Sequence, residues 1–184
     1  MAATSDPLQR GMVAPDFTLP GTDGRSWSYA DVAGSCGLVV VFVCNHCPYV
    51  QAVIDRIVRD AEALREIEVG FVAISSNDVI AYPEDSFDRM RSFAQQHGFG
   101  FPYLYDETQQ IARAYGAVCT PDFFGFDRHR RLQYRGRLDA SGKQAASPGT
   151  RRELYEAMAQ IARTGHGPDV QNASIGCSIK WKAD

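Results

Sequence analysis

Gly37-Leu38-Val39-Val40-Val41-Phe42-Val43-Cys44-Asn45-His46-Cys47-Pro48 is the stretch that decides how this chain folds. Residues 37–43 form an apolar run rich in β-branched side chains with no polar alternation, the pattern of a central strand covered on both faces. It delivers the chain directly to Cys44. After Pro48 the period changes: Val50, Val53/Ile54, Ile57, Ala61 and Leu64 recur every three or four residues among charged neighbours, which predicts an amphipathic helix. Proline is tolerated in a first helical turn because its missing N–H would be unpaired there anyway. Cys47 is therefore predicted at or beside the N-cap.

Outward from this junction, strand and helix patterns alternate. Residues 69–75 read as a second buried strand. Residues 86–97 read as a helix with Phe87, Met90 and Phe93/Ala94 inward, stopped by Gly98. Asp106-Glu107-Thr108-Gln109 and Thr150-Arg151-Arg152-Glu153 resemble capping boxes, predicting helices over about 107–115 and 151–163. Residues 122–127 and 132–137 look like paired strands around the polar turn 127–130. A short strand at 15–19 precedes them all. Gly165-His166-Gly167-Pro168 ends the last helix, and the following segment is expected to be a packed irregular tail anchored by Trp181.

The chain has 184 residues, 45% hydrophobic and 22% charged, within the usual size of one globular domain. A formal charge of -3 with scattered basic residues gives no general attraction for nucleic acid or anionic lipid. The N-terminus shows no basic region followed by an apolar stretch, and no apolar run approaches the roughly 20 residues that a bilayer requires. A cytoplasmic protein with no membrane or nucleic-acid partner is expected. No repeat or low-complexity linker divides the chain. The oligomeric state is left open.

Five cysteines, Cys36, Cys44, Cys47, Cys119 and Cys177, are an odd and unevenly spaced set, which argues against a structural disulfide framework. Two cysteines three apart point instead to redox chemistry or metal binding. A thiol works as thiolate, and a free cysteine, with a pKa of about 8.5, is mostly protonated at neutral pH. A helix starting at Pro48 would offer Cys47 positive charge and unpaired N–H donors, so Cys47 is the candidate nucleophile. Cys44 is close enough in sequence to resolve a mixed disulfide only if the turn folds back, since a bridge needs Cα atoms roughly 4.4–6.8 Å apart. His46 is a general base, a cation favouring thiolate, or a plain exposed turn residue. In the metal-binding alternative, Cys44 and Cys47 would be joined by His46 or Cys177. The absence of a second Cys-x-x-Cys or a His pair weighs against it, and no metal or other cofactor is expected.

These residues resemble the redoxin branch (AhpC/TSA-like) of the thioredoxin superfamily, which includes peroxiredoxins and thiol-disulfide oxidoreductases. Three stretches carry the resemblance. Residues 11–19 with Asp23-Gly24 are similar to that branch's opening hairpin, residues 39–48 to its active-site strand and turn, and Thr120-Pro121 to the superfamily's cis-proline loop. The tail 174–181 also resembles the endings of thioredoxin-like proteins that contain Cys-Asn-His-Cys-Pro. The resemblance implies an α/β thioredoxin-like fold over residues 10–164, a central mixed sheet flanked by helices with an N-terminal β-hairpin. A segment 1–9 precedes it, and a tail 165–184 containing Cys177 follows. It also implies that Pro121 is cis and faces Cys47, with the preceding backbone offering hydrogen bonds to a thiol partner.

The departures bear on function. Val50 stands where the branch's resolving cysteine normally sits. Against peroxiredoxins, Cys47-Pro48 fits the peroxidatic Cys-Pro, but the threonine three residues earlier is replaced by Cys44, and the arginine expected in the following strand is missing from residues 122–126. The substitute resolver is Cys44 in first place, then Cys119 beside the proline loop or Cys177 in the tail, which as an expectation folds over Cys47. Cys36 reads as structural. The sequence thus predicts a thiol-disulfide oxidoreductase with Cys47 as nucleophile and Cys44 as resolver, acting on a protein or small-molecule disulfide and drawing on a thiol reductant. A thiol peroxidase with Cys47 as peroxidatic cysteine is the second reading. A non-enzymatic redox-regulated or metal-binding module is the third.

Overall fold

A computed structural model describes residues 2–183. Strand β4 (Gly37–Phe42) is buried at every position, as its uninterrupted apolar run requires. Its alternate side chains enter two separate cores. Val39, Val41 and Val43 face one cluster with Ile57, Met90, Leu154 and Ile161, whereas Leu38, Val40 and Phe42 face another with Tyr29, Val72, Ala112 and Tyr115.

Antiparallel to β4 runs β8 (Asp122–Asp127), which in turn pairs antiparallel with β9 (Leu132–Gly136). On the other side lies β5 (Val69–Ser75), tied to β4 by the Val43 N–H donating to the Ile74 carbonyl at 2.9 Å; β5 pairs in parallel with β6 (Tyr103–Tyr105). The result is the expected mixed α/β sheet. Helices α3 (Ile54–Arg65), α4 (Phe87–Gln96) and α6 (Glu153–Thr164) cover one face; the short α1 (Tyr29–Val32) and α5 (Gln110–Tyr115) cover the other. The opening hairpin pairs β2 (Thr18–Pro20) with β3 (Ser26–Ser28). No helix among the described residues is long and apolar enough to cross a membrane.

Four expectations are corrected. The helix predicted from Pro48 is broken into a single turn, α2 (Pro48–Gln51), and α3, because Val53 sits at φ -117°, ψ 0° and re-spaces the ladder. Its N–H donates to the Val50 carbonyl and its carbonyl accepts from Ile57. Neither capping box forms. The Asp106 carboxylate accepts from the Ser76 hydroxyl and from the Ala112 N–H, so α5 starts at Gln110. The Thr150 hydroxyl turns to the Ser147 carbonyl while Glu153 is held by Arg137 and Asn172, so α6 starts at Glu153.

The tail is not irregular. Residues Ile175–Ser178 form strand β10, which lies between β1 (Ala2–Thr4) and the two-residue β7 (Cys119–Thr120), antiparallel to both. Trp181 is not the anchor either. It is more than one-third exposed, with the Arg113 guanidinium 4.4 Å over its ring, while Ile179 is the tail residue that enters the core.

Candidate active site

The strand-to-helix junction folds back on itself at Asn45 and His46. This turn is pinned by a side chain that sequence reasoning missed. Asp85, fully buried in the 3-10 turn Pro83–Asp85, accepts the Asn45 N–H at 2.8 Å and the His46 N–H at 3.3 Å on one oxygen. Its other oxygen meets His46 Nδ1 at 2.7 Å and the Asn77 amide at 2.8 Å. With N–H donors converging on both oxygens, the carboxylate is an acceptor, which places the proton on Nδ1 and leaves Nε2 unengaged by it. The His46 ring also stacks on Tyr82, centroids 5.6 Å apart. His46 is therefore a fixed group rather than a loose turn residue.

Asn45 is secured from three sides. Its side chain accepts from the Tyr103 hydroxyl at 2.9 Å and donates to the Glu84 carbonyl, and its own carbonyl accepts from Gln51. No sequence signal separates Asp85 from its neighbour Glu84. Only the fold shows that one is buried and the other exposed.

Cys47 is the N-cap of α2, with Pro48 in its first turn and Val50 packed in the core. The peptide between Thr120 and Pro121 is cis. As a thiol, Cys47 donates to the Thr120 carbonyl at 3.1 Å, and Cys44 Sγ lies 3.4 Å from the Thr120 hydroxyl. Three of the five cysteines thus meet around Thr120, because Cys177 sits opposite it in the β7–β10 register and packs against the cluster that contains Cys44 and Cys47. Cys119 is not among them. It is buried, turned to the Pro121 carbonyl at 3.6 Å, and burial pushes its thiol up. Cys36 is half-buried at the start of β4, against the core.

The three converging thiols are electrically unequal. Cys47 is lowered, chiefly by the Cys44 thiol donating to it, then by Thr120 and by the two donors of Cys177, against the opposing effect of burial. Cys44 is raised because its proton is held in the bond to Cys47, because it is buried, and because Asp85 repels a second negative charge. Cys177 is raised by burial first and by its bond to Cys47 second. Since α2 is a single turn, aligned peptide dipoles add less than a continuous helix would; direct S–H and N–H donors carry the stabilisation.

A low thiolate pKa keeps the anion at pH values where a free thiol, titrating near about 8.5, is protonated. Replacing Cys44 by alanine removes the leading donor and is expected to move the ultraviolet thiolate transition of Cys47 to higher pH. A transition that stays put would show that Cys44 does not stabilise the anion.

Cys44, His46 and Asp85 also place potential metal-ligand atoms within 4.8 Å of one another. The donor set does not fit an ion well, because both Asp85 oxygens are already saturated by N–H groups and His46 Nδ1 is one of them.

A redox-type thiol at a helix start, facing the backbone before a cis proline on a mixed α/β sheet, defines a thioredoxin-like oxidoreductase. Residues 11–135 match the AhpC/TSA family, and the chain belongs to that family. Peroxiredoxin Bcp of Escherichia coli K12 is 27% identical over 140 residues, which cover 75% of this chain and 83% of that protein. Among solved structures, an uncharacterized conserved protein from Geobacillus kaustophilus is 44% identical with a TM-score of 0.94, covering 100% of this chain and 98% of that one. A hypothetical protein from Sinorhizobium meliloti 1021 is 37% identical with a TM-score of 0.89, covering 98% and 99%. The likeness to the first of these two structures spans the whole chain, tail included.

Proposed function

We propose that the chain is a thiol-disulfide oxidoreductase in which Cys47 is the nucleophile and Cys44 the resolving thiol. The observation that carries this reading is the convergence of the two thiols on Thr120, with Cys47 Sγ 3.1 Å from its carbonyl oxygen and Cys44 Sγ 3.4 Å from its hydroxyl; beside each other, Cys47 is lowered and Cys44 raised. The Cys47 thiolate attacks one sulfur of a disulfide, forming a mixed disulfide and releasing the other sulfur as thiolate. Cys44 then gives up its proton to the thiolate released in the first step, attacks Cys47 Sγ, and expels the second substrate sulfur as a thiolate that takes its proton from solvent. The substrate leaves as two thiols and the protein is left with a Cys44–Cys47 disulfide, which a thiol reductant returns to the starting state. The substrate is a protein or small-molecule disulfide. An odd set of five free thiols suits a reducing cytoplasm.

Asp85 and His46 act here as positioning residues, since they fix the turn that brings Cys44 back to Cys47. The test is turnover of a model disulfide by the reduced protein. Cys44→Ser is expected to accumulate the mixed disulfide, visible as an adduct by mass spectrometry. Undiminished turnover without an adduct would remove Cys44 from the resolving role.

A second reading, thiol peroxidase, is favoured by the likeness to peroxiredoxin Bcp and by the complete burial of Cys47, which suits a small oxidant. In it the thiolate would take one oxygen from a hydroperoxide, releasing an alcohol or water, and the resulting sulfenic acid would condense with Cys44 to a disulfide and water. Against it stands the placement of Arg135, which spends its guanidinium on Asp122 at 3.2 Å and on the Gly116 carbonyl at 2.7 Å rather than on Cys47. Peroxide consumption faster than disulfide reduction would favour this second reading.

A further inference from the structure

We infer that strand β10 occupies the position of an extended polypeptide disulfide beside Cys47, and that such a segment reaches the thiol by displacing it. The inference deepens the disulfide reading of the site and rests on Cys47 being its nucleophile.

Cys47 has no solvent exposure at all, so a substrate sulfur of any size beyond a small oxidant needs the cover removed. The cover is β10. Its Cys177 lies opposite Thr120, the residue before the cis proline whose carbonyl Cys47 Sγ meets at 3.1 Å, and packs against the cluster that holds Cys47. That is a sulfur on an extended backbone, paired to a sheet edge and packed beside the nucleophile. It is the arrangement a strand-adding peptide would adopt. Among the described residues β7 pairs with no strand other than β10, so its edge becomes free once β10 leaves.

The pairing depends on Gly176. A Cβ at this position would overlap the Thr120 carbonyl oxygen, so only glycine lets the backbones approach this closely. The strand pairs over three residues with β1 on one side but over only two with β7 on the other, and it is fastened again beyond both ends. Ser174 is buried and donates its hydroxyl to the Gly136 carbonyl at 2.9 Å, while beyond β10 Ile179 is buried and the Lys180 N–H donates to Asn77 at 2.9 Å. Between these anchors Ile175 is exposed and Cys177 half-buried, and only the pairs at Cys177 and Ser178 tie β10 to β7, so residues 175–178 can lift from β7 together with β1. Beside them lies a cavity of about 300 Å³ bordered by Tyr49, Val53, Pro121, Phe123, Leu138 and Ile175, with room for an apolar side chain of the incoming segment.

When that segment replaces β10, its disulfide sulfur takes the place of Cys177 Sγ. The Cys47 thiolate attacks it, the distal substrate sulfur leaves as thiolate, and Cys44 resolves the adduct as above. The substrate disulfide is reduced to two thiols and the Cys44/Cys47 pair is oxidised. Cys177 serves as the internal stand-in for the substrate sulfur.

The test uses the full-length Gly176→Ala variant, whose added methyl pushes β10 off β7. Iodoacetamide labelling of each cysteine is followed by peptide mass analysis, with half-buried Cys36 as the internal reference. Turnover is measured with the symmetrical disulfide of a peptide copying residues 172–180 and with bis(2-hydroxyethyl) disulfide as a small acyclic disulfide. Labelling of Cys47 is expected to rise about tenfold or more in the variant, and reduction of the peptide disulfide to rise more than that of the small one. Ser174→Ala, which loosens only the leading anchor, should shift both readouts the same way by less, and replaces Gly176→Ala if that variant does not fold. Cys47 labelling at the wild-type rate in a folded variant would overturn the inference. So would wild-type protein in which Cys47 labels as fast as Cys36, or faster labelling with small-disulfide but not peptide-disulfide turnover increased. Faster labelling with no disulfide reduced at all would instead remove the disulfide reading of the site while leaving β10 as the cover.

Discussion

Cys47→Ser is expected to reduce disulfide turnover by about three orders of magnitude or more, to the background rate, while leaving the protein folded. Serine keeps the N-cap position of α2 and can still donate to the Thr120 carbonyl, so the packing around it is retained. What disappears is the ionisable sulfur. A hydroxyl at this position does not become an anion near neutral pH under the same donors, and oxygen forms no disulfide. Assay of the purified variant beside wild type, with a thermal melt as control, checks this. Residual turnover within tenfold of wild type would place the chemistry on another cysteine.

Asp85→Ala is the variant with the largest expected effect on stability. Its carboxylate is buried without exposure and accepts from the backbone N–H groups of Asn45 and His46, from His46 Nδ1 and from Asn77. Alanine leaves the Asn45 and Asn77 donors buried and unpaired and the half-buried His46 without its partner, a loss of about 3 kcal/mol by comparison with other broken buried charge networks. For a chain of this size each kcal/mol moves Tm by about 2–4 °C, so a fall of about 10 °C is expected. Turnover should fall as well, because the turn that brings Cys44 back to Cys47 loses its clamp. Asp85→Asn should recover part of the stability through its remaining carbonyl oxygen. A Tm within a degree or two of wild type for the alanine variant would show that the clamp contributes little.

The fold was legible where a single physical signal dominates. An unbroken apolar run of strand length, rich in β-branched residues, reads as a strand buried on two sides, and β4 is one, with its alternate residues feeding both cores. The boundaries of β5 and β8 follow from equally strong patterns and coincide with residues 69–75 and 122–127. Patterns resting on local hydrogen bonds read less well, because tertiary partners outcompete them. Thr150 and Glu153 found Ser147, Arg137 and Asn172 instead of each other.

The candidate site divides along the same line. Cys47 was visible because its sequence neighbours, the apolar strand before it and Pro48 after it, define its place. Asp85 was not, because its role depends on meeting Asn45 and His46 from a loop about 40 residues away. Strand β10 was hidden for a related reason. Ile175-Gly176-Cys177-Ser178 is too short and too polar to announce a strand, and its pairing depends on the edge that β7 presents and on the absence of a side chain at Gly176.

Mapping the disulfide formed when reduced protein is treated with one equivalent of a disulfide oxidant tests the central claim most directly. Proteolysis and mass spectrometry should find Cys44 joined to Cys47, with Cys36, Cys119 and Cys177 still labelled as free thiols. A free Cys47, or Cys47 joined to Cys177 in place of Cys44, would contradict it.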